Sequence, residues 1–219
     1  MRKDLQSHLS LEVELMVTVI QSKSIAVEQF IEQYGSNNRY ELIDGEVFDL
    51  EPTGPHEQVA AFIDRKLNVQ IDTHSLPYFV LQRGLFRPKS DFTAFRPDVM
   101  VVDSTALNRE PLWSRESILT SGSSIQLVAE IVSSNWQNAY ARKFEDYALL
   151  GIPEYWIVDY AGLGGEVFIG RPKRPALTIC VLDRKGRYEK TILRSSQPVT
   201  STIFPELQLT AEQVLEANQ

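Results

Sequence analysis

A single cysteine, Cys180, rules out an internal disulfide and any zinc site built from paired thiolates. Long apolar runs are missing as well. None approaches the roughly 20 residues that cross a bilayer as a helix, so no membrane span is expected. Positive charge is scarce. The chain has 22 Lys and Arg against 29 Asp and Glu, a net charge of −7, which argues against a protein that coats nucleic acid through a basic surface. An acidic site neutralised by bound metal remains compatible with that balance. No Gly-rich phosphate loop, nucleophile elbow or dinucleotide fingerprint occurs; the glycines between Gly162 and Gly165 lack a strand-to-helix context and read as a turn. Arg2 and Lys3 are followed by no small-residue cleavage site, and Glu12 and Glu14 interrupt the next apolar stretch, so no secretory signal is read. The cytoplasm is the expected compartment.

What is present is ordinary globular composition, 43% hydrophobic and 23% charged. Residues 1–23 read as an N-terminal extension, with Met16 as an alternative start, and 24–219 as one domain. Ser24 reads as the N-cap of a helix ending near Tyr34 and Gly35. RYELIDGEVFDL carries Asp44-Gly45 between alternating residues, a strong hairpin signal. A helix over 56–72 presents Val59, Phe62, Ile63 and Leu67 on one face. Strands are expected at 78–87, with a glycine interruption, and at FRPDVMVVD; residues 104–123 read as loop. IQLVAEIV is a run covered on both faces. A helix over 137–150 stops at Gly151, and EYWIVDY is a further buried strand. EVFIG, LTICVLD and YEKTILR read as strands, and Thr210 caps a closing helix. The sum is an α/β domain with a mixed central sheet and helices on both sides.

Two of the buried runs each carry one carboxylate. Asp98, Met100 and Val102 share a face by the two-residue strand period, as do Gln126, Val128, Glu130 and Val132. A carboxylate in such a run is costly unless a cation or hydrogen bonds compensate it. On paired strands, level with each other, two such acids can grip a hard cation, Mg²⁺ or Mn²⁺. Either acid alone reads more simply as a strand-mouth residue or an internal ion pair, Glu130 with Arg96 for example. Together they lean modestly toward metal. On the helix that follows, Tyr140, Phe144, Tyr147, Ala148 and Gly151 form the apolar stripe. Lys143 falls on its flank, able to reach Glu130, and Arg142 lies opposite. Such a lysine can orient water or offset charge at phosphorus, although a snorkelling border lysine is the commoner case and spacing alone leaves it ahead.

His56, before the second helix, is an acid–base or phosphate-contact candidate set against an exposed loop residue. Glu41 and Glu46 flank the hairpin turn and are either neighbours across strands or plain surface charge. His8 and His74 have no companions that would make a zinc site. Trp136 and Tyr155-Trp156 can stack on bases, with core packing expected of the latter two.

In order along the chain, RYELIDGEV, TGPHEQ, RPDVMVVD, VAEIVSSNW with a later lysine, and GIPEYWIVD resemble the Uma family, bacterial proteins assigned as endonucleases largely from their fold. The resemblance runs from residue 25 to 215. It implies the restriction-endonuclease-like PD-(D/E)xK fold, a mixed central β-sheet flanked by helices with an N-terminal β-hairpin. It also implies a Mg²⁺- or Mn²⁺-dependent endonuclease that hydrolyses phosphodiester bonds in nucleic acid, with DNA the expected substrate. Asp98 matches the motif aspartate and Glu130 the second acid, helped by the Ile131 carbonyl. The position two beyond Glu130 is Val132 rather than lysine, and Lys143 matches a lysine moved into the following helix. Glu41 matches the hairpin glutamate, a further metal ligand, and His56 the loop histidine. Members of this fold commonly pair about a two-fold axis, so a homodimer is expected. Gln137-Asn138-Ala139 departs from the acidic residues that relatives carry there. That departure and the acidic charge keep open a catalytically inactive nuclease-fold binding or regulatory module, and a structural protein with Asp98 and Glu130 in internal ion pairs is a third reading.

Overall fold

The computed structural model describes residues 24–219. The extension expected over 1–23, with His8 and Met16, lies outside the described residues. Helix α1 spans Val27–Tyr34 and its N-cap is Ala26, not the expected Ser24. Ser24 instead lies against the hairpin turn at Gly45. Strands β1 (Tyr40–Ile43) and β2 (Glu46–Asp49) pair antiparallel across Asp44 and Gly45. Those two residues have φ of 52° and 82°, the left-handed pair that a two-residue I′ turn demands.

Helix α2 (Gly54–Thr73) starts two residues earlier than the apolar pattern suggests, because Thr53 Oγ1 accepts the His56 N–H at 3.5 Å and Pro55 suits the first turn. His56 therefore sits inside the helix. Strands β3 (Tyr78–Leu81) and β4 (Leu85–Phe86) are separated at Gly84, where a Cβ would lie 2.2 Å from the Leu81 side chain. Strand β5 is Val99–Asp103. The segment expected as loop is more ordered: a 3₁₀ turn at Ser104–Arg109, helix α3 (Trp113–Glu116), strand β6 (Ile118–Leu119) parallel to β4, and a second 3₁₀ turn at Gly122–Ser124.

Strand β7 is Ile125–Ile131. A π turn over Asn138–Arg142 leads into helix α4 (Lys143–Leu149), which ends before Gly151 with φ of 75°. Strand β8 is Glu154–Asp159. EVFIG is not a strand but helix α5 (Glu166–Ile169): the Phe168 and Ile169 N–H groups both donate to the Gly165 carbonyl, and Phe168 packs on Trp136 and Tyr140. Strands β9 (Ala176–Leu182) and β10 (Tyr188–Leu193) form the last hairpin, and Thr210 caps helix α6 (Ala211–Leu215).

Six strands make the central sheet in the order β10-β9-β8-β7-β5-β3. Only β7 and β8 run parallel within it, joined by the α4 crossover, so the sheet is mixed. Alternation splits the core into two apolar layers. Val99, Val101, Leu127, Ala129, Trp156 and Val158 pack beneath α2 and α6. Met100, Val128, Tyr155, Ile157 and Cys180 pack beneath α4 with Tyr140 and Tyr147. Burial of each large apolar side chain contributes about 1.5–3 kcal/mol. Asp98 and Glu130 belong by parity to the α4 side.

Candidate active site

Strand register brings the two acids level. Val99 lies opposite Ala129 and Met100 opposite Val128. One step further sets Asp98 against Glu130, and the Ile131 N–H donates to Asp98 Oδ2 at 2.8 Å. Lys143 arrives from above. Its backbone N–H reaches back five residues to the Asn138 carbonyl, closing the wide turn. Its Nζ lies 2.9 Å from Glu130 Oε2 and 3.0 Å from Glu41 Oε2 on the hairpin. Arg142 points the other way, as the helical wheel requires, and makes a two-pronged contact with Asp44 at 2.7 and 3.0 Å. That contact fastens the hairpin tip to the helix that carries Lys143.

Asp98, Glu130 and Lys143 are 8%, 5% and 3% exposed, so they form the floor of a depression and not a flat surface. Above them opens a cavity of about 440 Å³, which Glu41 and His56 also line. His56 Nε2 is 3.4 Å from Asp98 Oδ2, and its buried Nδ1 has no hydrogen-bond partner, with Glu57 Oε1 at 3.6 Å.

The Glu130 carboxyl is raised to about 7: burial is the largest cause, Lys143 pulls against it, and Asp98 and Glu41 add to it. Burial opposes the Lys143 charge too, yet Glu130 and Glu41 outweigh it and hold the ammonium above its ordinary range. For His56, burial lowers the pKa but Asp98 and Glu57 prevail, and the net direction is upward. Lys143 thus answers Glu130 and Glu41, and His56 stands beside Asp98.

The donor set suits a hard divalent ion. Mg²⁺ keeps most of its waters and needs only one or two protein carboxylates. Asp98 and Glu130 are two carboxylates that could meet that need, with the Ile131 backbone between them. Among the described residues no three His, Cys, Asp or Glu side chains converge as a metal-binding group.

Each of the five candidates, Asp98, Glu130, Lys143, Glu41 and His56, therefore lines one cavity. His56 is buried in a helix turn, not exposed in a loop. Others separate. Glu46 is exposed opposite Ile43, while Glu41 faces Phe48, so the two hairpin acids are not neighbours. His74 ends α2 in solvent. Arg96 does not pair with Glu130: its guanidinium donates to the carbonyls of Tyr40, Arg83 and Gly35 at 2.9, 3.0 and 2.6 Å. Its backbone N–H, at 3.2 Å, holds Glu41 Oε2 instead.

Tyr147 belongs to the site as well as to the apolar stripe of its helix. Its hydroxyl donates to Glu130 Oε1 at 2.7 Å. The available signal was its place four residues after Lys143, on the same helix face.

A family model described as Uma2, "Putative restriction endonuclease", matches residues 27–212. Among solved structures, a crystal structure described as "a putative nuclease" from Anabaena variabilis superposes with a TM-score of 0.68, covering 89% of this chain and 99% of that chain at 14% identity. That likeness speaks to the fold. The comparison with curated proteins gives no match.

Proposed function

The chain belongs to the Uma2 family of restriction-endonuclease-like proteins, and from that premise we propose that it is a Mg²⁺- or Mn²⁺-dependent nuclease that hydrolyses phosphodiester bonds, with DNA as substrate. The observation that carries this reading is the level placement of Asp98 and Glu130 on the cavity floor with Lys143 Nζ 2.9 Å from Glu130. A divalent ion bound there supplies Lewis acidity at the phosphoryl oxygens and a water of lowered pKa. Asp98 and Glu130 would hold that ion beside the Ile131 carbonyl, with Glu41 set behind them on the Lys143 ammonium. Tyr147 fixes the Glu130 carboxylate through its hydroxyl. Lys143 positions the attacking water and offsets the charge that grows on phosphorus. Glu41 keeps the ammonium over the site when Glu130 is engaged, and His56 orients Asp98.

The test is cleavage of supercoiled plasmid and of single-stranded DNA with Mg²⁺ or Mn²⁺, comparing wild type with Glu130→Ala and Lys143→Met. Wild type cuts and both variants lose activity by about a hundredfold or more, the scale of one lost electrostatic stabiliser. Cleavage that survives Glu130→Ala overturns the assignment. One observation favours a rival, a non-catalytic binding module: both Glu130 oxygens already carry hydrogen bonds, from Lys143 and Tyr147. Absence of Mn²⁺ heat in calorimetry, with nucleic-acid binding retained, supports that rival.

A further inference from the structure

In a chain of net charge −7, one exposed segment concentrates positive charge beside the cavity. Arg171, Lys173 and Arg174 project from the loop that precedes β9, and all three are exposed. Arg194 lies beneath, its guanidinium donating to the Ile169 carbonyl. The acid set against them is Glu166, 3.8 Å from Arg171 Nε. The loop reaches the cavity lip directly: Lys173 Nζ donates at 2.9 Å to the carbonyl of Leu163, a cavity-lining residue. Beside it, half-buried Trp136 and Phe168 meet edge to face, with ring centroids 5.9 Å apart. Trp136 follows directly on Ser133–Asn135 of the cavity wall.

Topology explains why this loop meets the site. β7 and β8 are parallel with Ile131 opposite Val158, and β8 pairs antiparallel with β9 with Asp159 opposite Ala176. The C-terminal ends of β7 and β8 and the start of β9 therefore share one end of the sheet, where Glu130 stands. The second basic turn, Arg184, Lys185 and Arg187, follows Leu182 at the opposite end.

We propose that the 171–174 loop, with Trp136 and Phe168, is a track for a single nucleic-acid strand leading away from the cavity. The inference rests on the nuclease reading of the site and deepens it by naming the substrate form. The cations match a phosphate backbone, and the half-buried Trp136 indole, held by Phe168 whose own face is stacked on Tyr140, matches an unpaired base. The acids lie on the floor of a pit, where a stiff duplex backbone does not descend, whereas an unpaired strand bends into it. The preferred substrate is accordingly a single strand, or the unpaired flank of a duplex.

The test measures binding of fluorescein-labelled oligo(dT) of 20 nucleotides by anisotropy, in EDTA so that nothing is cut. Variants are Lys173→Ala/Arg174→Ala and Arg171→Ala/Arg174→Ala, the latter keeping the Lys173–Leu163 bond. Arg184→Ala/Lys185→Ala is the equal-charge control at the far end of the sheet. At about 0.7 salt-slope per phosphate contact on a single strand, two lost contacts lower the slope by about 1.4 and weaken binding about 25-fold at 0.1 M salt. The control stays within about twofold on the same reasoning. In wild type the strand also quenches tryptophan emission, and Trp136→Phe removes that quenching. Equal losses at both basic turns, or none at 171–174, overturn the track. Unchanged binding and unchanged cleavage in the loop variants sink the track and leave the nuclease reading standing. Loop-dependent binding without cleavage in any metal does the reverse.

Discussion

Replacing Glu130 by glutamine separates a site that awaits a cation from an ordinary buried ion pair. In the wild-type chain the Glu130 carboxyl moves from 4.5 to about 7, chiefly through burial. Below pH 4.5 it is protonated in folded and unfolded chains alike. Between 4.5 and about 7 the unfolded chain has released the proton that the folded chain retains, so stability falls as pH rises. Above about 7 the loss is complete. At 1.36 kcal/mol per pH unit it amounts to about 3 kcal/mol. Glutamine keeps the shape and cannot titrate, and its amide still meets Tyr147. The unfolding free energy of Glu130→Gln relative to wild type should therefore grow by about 3 kcal/mol from pH 4.5 to 8. For a chain this size that is about 6–12 °C in Tm. Urea unfolding followed by circular dichroism at the two pH values measures it, and added Mn²⁺ should narrow the gap by stabilising wild type alone. A pH-independent difference, or a glutamine variant more than about 2 kcal/mol less stable at pH 8, makes Glu130 a structural partner of Lys143 and refutes the reasoning.

Tyr147→Phe keeps the aromatic packing but removes the hydroxyl on Glu130; calorimetric Mn²⁺ affinity should drop about 10–100-fold, the usual cost of losing a group that orients a ligand. Arg96→Met strips the guanidinium from three carbonyls that tie the hairpin and α1 to the sheet. It should lose about 3 kcal/mol or more in urea unfolding, and a loss below about 1 kcal/mol shows that those carbonyls find other donors. Gly45→Ala places a Cβ 1.8 Å from Ser24 Oγ at a φ of 82°, and should cost about 1–3 kcal/mol in the same assay.

Much of this architecture follows from local rules. The I′ turn at Asp44-Gly45, the buried strands β5, β7 and β8, and the Thr210 cap each depend on neighbours in sequence. So does the divergence of Lys143 and Arg142, which is helical geometry alone. What local rules do not carry is distance along the chain. Four residues of EVFIG look alike as strand or helix turn, and the decision rests with Phe168 packing on Tyr140. The carbonyls Arg96 meets on the hairpin, at Tyr40, and after α1, at Gly35, lie 56 and 61 positions away. Tyr147 looks apolar until its hydroxyl is known to face a carboxylate.

The lysine's place on a helix also has a physical reason. Just past the end of β7 the next position on the Glu130 side is Val132, which is 2% exposed and belongs with Val128, Tyr140 and Ile157 to the apolar layer. An ammonium there would have to leave that layer to meet the acid. From α4 the stem of Lys143 runs down through the same layer and only its tip reaches Glu130. The π turn sets that approach, because one extra residue in the turn rotates everything before it relative to α4. Arg142 then locks the helix to the hairpin, and the hairpin returns Glu41 to the same ammonium. Sheet, helix and hairpin each bring charge that none of them could bury alone. The cavity therefore assembles only when all three dock.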